Sequence, residues 1–257
     1  MPFDYITAED AIARDGLRMV VVRNVPSPWG EAAKGIFHMK EFDWAAVSLA
    51  YDDPKLTEWM GGGSSAPVAI HGNEAPRSGW AEILLLAERL ASDPALVPTN
   101  AIDRSLMFGL AHELMGEEGL GWARRLQLVD VGMRGEGGFP EPIAAYIGGK
   151  YGYTPECSAG CHARVVDLLT MLASRLQAQA DAGSAYYIGD GPTAVDIYSA
   201  TIMALFSPLP EDQCAMNPHT RTAFNTMDDD TRAAFDPILI THRDRMYADH
   251  LELPLSL

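Results

Sequence analysis

The chain has 257 residues, 47% of them apolar and 21% charged, which is the balance of a folded protein long enough to bury a sizeable core and excludes intrinsic disorder. Thirty-five acidic against 19 basic residues leave a formal charge of −16, a field that repels phosphate backbones and anionic bilayers. Nucleic acid and membrane are therefore not expected as partners, although a small anion held by a local cluster of donors is not excluded. The longest uncharged stretch that could resemble a span, Ile197 to Pro210, contains Ser and Pro and falls short of the ~20 apolar residues a spanning helix needs. Met1-Pro2-Phe3-Asp4 has neither the basic nor the apolar region of a secretion signal.

The three cysteines, Cys157, Cys161 and Cys214, are too few and of the wrong parity for a disulfide framework, so a reducing, cytoplasmic setting is expected. Cys157, Cys161 and His162 have helical spacing suited to ligands, but a zinc site needs about four ligands and no second cluster accompanies them. No metal is expected.

In chain order, Met19-Val20-Val21-Val22 is a β-branched run that predicts a strand buried on both faces. Ser27-Pro28 is a natural helix start, with a hydroxyl able to accept a free N–H and a proline where no donor is missed; the helix runs from Trp29 to Lys40. Trp44 to Leu49 predicts a second strand, Pro54 to Met60 a weak helix, and Gly61-Gly62-Gly63-Ser64-Ser65 a loop. Pro67 to Ile70 predicts a third strand, His71 to Glu74 turns into a short fourth, and Ser78 can cap a helix with Trp80, Ile83, Leu84, Ala87 and Leu90 at helical spacing.

After a linker from Ser92 to Asn100 only helical patterns follow. These are Ser105 to Glu117, Trp122 to Val129, Ala163 to Ala180 with a stripe of Val165, Leu168, Leu169, Leu172 and Leu176, Thr193 towards Leu205, and Ile238 to His250. The expected fold class is thus α+β/α: a β-α-β-α-β-β-α domain over residues 1–91, a sheet with helices on its faces, followed by an all-helical bundle over residues 101–257.

That layout resembles the glutathione transferases, in their bacterial form, and the resemblance implies that the first domain is thioredoxin-like. Three segments carry the resemblance: Ser27-Pro28-Trp29-Gly30; Ser65-Ala66-Pro67-Val68-Ala69-Ile70-His71-Gly72 with Arg77-Ser78; and Gly191-Pro192-Thr193-Ala194-Val195-Asp196. The resemblance implies a homodimeric enzyme using glutathione as co-substrate against a small hydrophobic electrophile bound by the helical part. It implies that Ser27 stabilises the thiolate, by its hydroxyl and the positive helix end. A cis bond before Pro67 would turn the backbone of Ala66 towards the cysteinyl part of the tripeptide, and Ser78 would receive the γ-glutamyl carboxylate at a helix N-terminus. The sequence departs from the family at Arg77, where Glu or Gln would accept from the γ-glutamyl ammonium; a guanidinium has no acceptor, so Arg77 implies either pairing with the carboxylate of the tripeptide or a different acidic ligand. No cysteine precedes Cys157, so disulfide exchange of the glutaredoxin kind is not expected.

Thr193 and Asp196 read as a structural capping box. His112 and Glu113, with Phe108 and Met115, read first as core, since Met and aromatic residues at helical spacing are more often core, with the electrophile pocket as the alternative, and Asp228-Asp229-Asp230 reads as a solvated helix start. The alternative to an enzyme is a non-catalytic protein of the same fold that binds a ligand or a partner.

Overall fold

The computed structural model describes residues 4–257. A short helix, α1 (Ala8–Ala13), precedes β1 (Leu17–Val21), every residue of which is buried. The reason is its place at the centre of a three-stranded sheet of order β2-β1-β3. Strand β2 (Trp44–Ser48) pairs with it in parallel, and β3 (Val68–His71) pairs antiparallel on the other side. Arg18 is the charge in this run. Its guanidinium is accommodated by bonds to the carbonyls of Gly16 and Gly72 at 2.8 and 2.9 Å.

Alternate residues of β1 enter different cores. Val20 joins Ala11, Val47 and Leu56 beneath α1 and the short α3 (Pro54–Trp59), whereas Leu17, Met19 and Val21 face α2 (Pro28–Met39) and α4 (Trp80–Leu90). The expected fourth strand shrinks to one antiparallel pair, Arg77 exchanging two 2.9 Å backbone bonds with Ala69. Pro76, with no N–H to offer, cannot extend that ladder.

From Ala101 onward the chain is helical: α5 (Ala101–Met115), α6 (Leu120–Met133), α7 (Glu141–Tyr151), α8 (Ser158–Asp181), α9 (Ala194–Ile202, continued by a 3₁₀ turn Met203–Leu205), α10 (Pro218–Asn225), α11 (Asp229–Ala234) and α12 (Pro237–Asp249). Helix α5 starts earlier than the apolar pattern suggests because Asn100 caps it, accepting from the N–H of Asp103 at 2.8 Å. The α8 stripe is buried along its whole length. Helix α9 is buried on all sides and packs against α2, α5 and α12, so the sheet and the bundle share one apolar core. Among the described residues no helix is long and apolar enough to cross a membrane.

Candidate functional site

A cavity of about 940 Å³ opens between the sheet-bearing part and the bundle. Ser27 lines it from the start of α2. After β1 the chain turns through Asn24, in the left-handed region at φ 61°, which asparagine tolerates better than most residues. Ser27 then takes an extended N-cap conformation, and its carbonyl accepts the first helical bond from Glu31 N–H at 2.8 Å. Its hydroxyl makes no capping bond. The side chain that local sequence assigns to the helix is left available at the cavity wall.

Ala66 and Pro67 line the same cavity, and the bond between them is cis. Among the described residues neither the N–H nor the C=O of Ala66 has a hydrogen-bond partner. Ser78 also lines the cavity and is exposed, but it does not cap α4. Gly79 is the N-cap, and its N–H is taken by the Glu82 carboxylate at 2.6 Å, while Ser78, one residue earlier, keeps its hydroxyl and N–H without a hydrogen-bond partner among the described residues.

Arg77 lies outside the cavity lining. Its guanidinium donates to the Ala75 carbonyl at 2.7 Å and approaches Glu74 at 3.4 Å. Glu74 is held more tightly by Arg89, at 2.5 and 2.7 Å, and these bonds, followed by one from His71, lower its pKa. The structure therefore brings Ser27, Ala66, Pro67 and Ser78 to one wall and turns the Arg77 side chain away from it.

Thr193 and Asp196 are distant from this wall and fully engaged. The Asp196 carboxylate is completely buried and accepts from the N–H of Thr193 at 2.8 Å, its hydroxyl at 2.9 Å, the N–H of Tyr187 at 3.0 Å and His242 Nε2 at 3.0 Å. The Thr193 hydroxyl thus donates to the carboxylate instead of accepting the Asp196 N–H. Of the α5 candidates, His112 and Met115 line the cavity, Glu113 pairs with Arg164, and Phe108 packs against Trp80.

Asp228 does more than begin a solvated helix: it caps α11, accepting from Thr231 N–H at 2.8 Å, and meets His162 Nδ1 at 2.7 Å. Burial pushes its pKa up, but the bonds from Thr231 and His162 outweigh that and the net shift is down. No group of three or more His, Cys, Asp or Glu side chains suited to a metal occurs among the described residues.

The opposite wall was not singled out from the sequence. Trp29, two residues beyond Ser27, is tied to the bundle by a 2.9 Å bond from Nε1 to the Met115 carbonyl. Its ring lies against the guanidinium of Arg125 from α6, 4.2 Å from the ring centre, and the ring of Tyr151 from α7 lies at 4.2 Å as well. The close fit of Trp29 depends on Gly121. A methyl group there would fall 2.9 Å from the indole and 2.5 Å from Ile202. Tyr51 and Tyr146 stand at the cavity rim, 60% and 56% exposed.

No protein-family model and no curated protein matches the chain. Solved structures do. A glutathione S-transferase from Methylobacterium radiotolerans, in complex with glutathione sulfonate, is 16% identical and superposes with a TM-score of 0.61, over 91% of this chain and 94% of that one. One from Methylobacillus flagellatus, with glutathione bound, is 12% identical with a TM-score of 0.61, over 90% and 94%. One from Xanthobacter autotrophicus is 14% identical with a TM-score of 0.59, over 93% and 96%. At these identities what is common is the arrangement of elements, and on it the chain has the glutathione transferase fold.

Proposed function

We propose that the chain is a glutathione-dependent transferase in which residues 1–91 bind reduced glutathione and residues 101–257 hold a small hydrophobic electrophile. The observation that carries this reading is the Ser27 hydroxyl, which starts a helix without capping it and faces the same cavity as the unpaired backbone of Ala66 and the unspent hydroxyl of Ser78. A thiolate docked there would accept from Ser27 and lie at the positive end of α2, both of which favour the charged sulfur. Ala66 would pair with the tripeptide as an added strand does, and Ser78 would donate to its γ-glutamyl carboxylate. Pro67 would set the direction of the Ala66 groups. Arg77 would act through its backbone, which fixes the edge of β3, and through the Glu74–Arg89 cluster. The thiolate then attacks the electrophile as its leaving group departs, or adds to an activated double bond. Homodimerisation and a cytoplasmic location belong to the same proposal, the first supported by the fold and the second by three cysteines, too few and of the wrong parity for a disulfide framework.

Glutathione titration by calorimetry, followed by glutathione-dependent turnover with Ser27→Ala as control, tests it. Saturable binding at or below millimolar concentration and a large loss of turnover in Ser27→Ala are expected. Turnover that survives Ser27→Ala would remove Ser27 from the mechanism. The Arg77 side chain favours a second reading, since it supplies no acceptor to a γ-glutamyl ammonium and is directed elsewhere: a non-catalytic protein of this fold that binds a different acidic ligand or a partner. Absence of glutathione binding would favour it.

A further inference from the structure

Arg124 and Arg125 are adjacent on α6 and face opposite fates. Arg124 points into the bundle, fully buried, and donates to the carbonyls of Leu205 and Phe224 at 3.1 Å each, to Thr226 O at 2.5 Å and to Gln127 Oε1 at 2.5 Å. Burial pushes its pKa down to about 9, yet its donors are satisfied by protein. Arg125 lines the cavity and has neither a hydrogen-bond nor an ion-pair partner among the described residues. The rings of Trp29 and Tyr151 each lie with their centres 4.2 Å from its guanidinium carbon.

Such an arrangement is costly without an occupant. A guanidinium carries five donors, and one drawn out of water between two rings loses hydration that the rings restore only in part. Burial lowers the Arg125 pKa, first through desolvation, with Tyr151 opposing it. The surroundings favour an anion. Lys150 lines the same cavity, its ammonium hydrogen-bonded to a neutral carbonyl, Ser64 O at 3.2 Å, and among the described residues Glu117 is the single carboxylate in the lining. In a chain of net charge −16 this is a local reversal of sign. Apolar and aromatic residues, among them Trp122, Ile143 and Tyr146, line the cavity as well.

We propose that Arg125 is the anion receptor of the electrophile half of the cavity, so that the second substrate is an apolar, preferably aromatic, body bearing a carboxylate or sulfonate. This rests on the transferase reading above for the word substrate, but the anion site itself does not. Trp29 and Tyr151 are positioning residues that present the guanidinium edge-on, where a carboxylate can take two parallel bonds.

The test compares a dinitrobenzoate with its methyl ester, which has the same ring and no charge. Calorimetric binding of each is measured to the full chain, as wild type, Arg125→Met and Arg125→Lys, with and without reduced glutathione. Turnover is measured with the chloro-substituted pair, where the carbon–sulfur bond forms as chloride leaves. The wild type is expected to bind and turn over the benzoate about tenfold better than the ester, a preference lost in Arg125→Met and partly kept in Arg125→Lys. If Arg125→Met does not fold, a benzoate preference that falls with salt and is reduced in Arg125→Lys supports the proposal. Equal affinity for acid and ester, or a preference that persists in Arg125→Met, overturns it. So does a loss of glutathione affinity in Arg125→Met together with displacement of benzoate by glutathione, which would assign the arginine to the tripeptide. Arg125-dependent benzoate binding with no glutathione-dependent turnover would overturn the transferase reading and leave the anion receptor standing.

Discussion

Two helix starts in this molecule look alike in sequence and are used in opposite ways. Helix α9 begins at Thr193 and helix α2 at Ser27, each an extended residue with a hydroxyl side chain. At α9 the hydroxyl and the backbone N–H are closed off by Asp196, which also holds Tyr187 and His242 in complete burial. At α2 the hydroxyl makes no capping bond, no acidic residue at the third position reaches back, and the cavity lies in front. A helix end closed by its own chain holds the fold together; one left open has its positive potential and its donors to spend on something else.

Substitutions can break or sharpen that contrast. The largest effect is expected at the closed end. Asp196→Ala strands four buried donors and should cost about 3–5 kcal/mol in urea unfolding, or prevent folding outright. At the open end the effect should move from stability to activity: Ser27→Ala should lower glutathione-dependent turnover on the order of a hundredfold while changing unfolding free energy by less than about 0.5 kcal/mol. A loss of stability there comparable to that at Thr193 would show that Ser27 is a cap after all.

A third helix start supplies an intermediate case. In the 3₁₀ turn Pro155–Cys157 that leads into α8, the group reaching back is a thiol: the Thr154 N–H donates to Cys157 Sγ at 3.3 Å. That backbone bond is the main cause lowering the Cys157 pKa, whereas burial, then Cys157 itself, pushes Cys161 up to about 11. At neutral pH more Cys157 is thiolate, and alkylation by iodoacetamide followed by peptide mapping should find it about tenfold faster than Cys161. Equal labelling would mean that the turn does not shape the thiol. The smallest change is at the closed end again. Thr193→Ala removes one of four donors to Asp196 and should cost about 1 kcal/mol, with glutathione binding unaltered and Thr193→Ser restoring most of the loss.

Strands β1 and β2 and helices α2, α4 and α8 were legible because burial against one sheet or one bundle face imposes a period that composition displays. Helix α7 was not. Pro142, Gly148 and Gly149 dilute its propensity, and its apolar residues serve two surfaces, Ala144 and Gly148 towards the core and Ile143, Tyr146 and Ile147 towards the cavity. The short α1, α10 and α11 hold only one or two buried residues each, too few for a pattern, and their caps, Thr7, Asn217 and Asp228, were the only available signals.

Ser27, Ala66, Pro67 and Ser78, which line one cavity, each lie beside a helix start or a strand start, where local motifs mark them. The other wall was hidden. Arg125 looks like any charge on an amphipathic helix, and nothing in the sequence says that Trp29, nearly a hundred residues earlier, and Tyr151, the last residue of another helix, will enclose it. Ser78 and Gly79 show the finer limit: hydroxyl chemistry nominates Ser78 as the cap, while the reach of Glu82 decides for Gly79.

The absence of a side chain at Gly121 has a consequence for how this cavity can change over generations. Any larger residue there collides with Trp29, and moving Trp29 withdraws one of the two rings that hold Arg125. Three positions on two helices are therefore a single heritable unit. A lineage that reshapes what this cavity admits has to alter all three within a few steps, or keep all three and vary only the rim at Tyr51 and Tyr146, where exposure makes replacement easy.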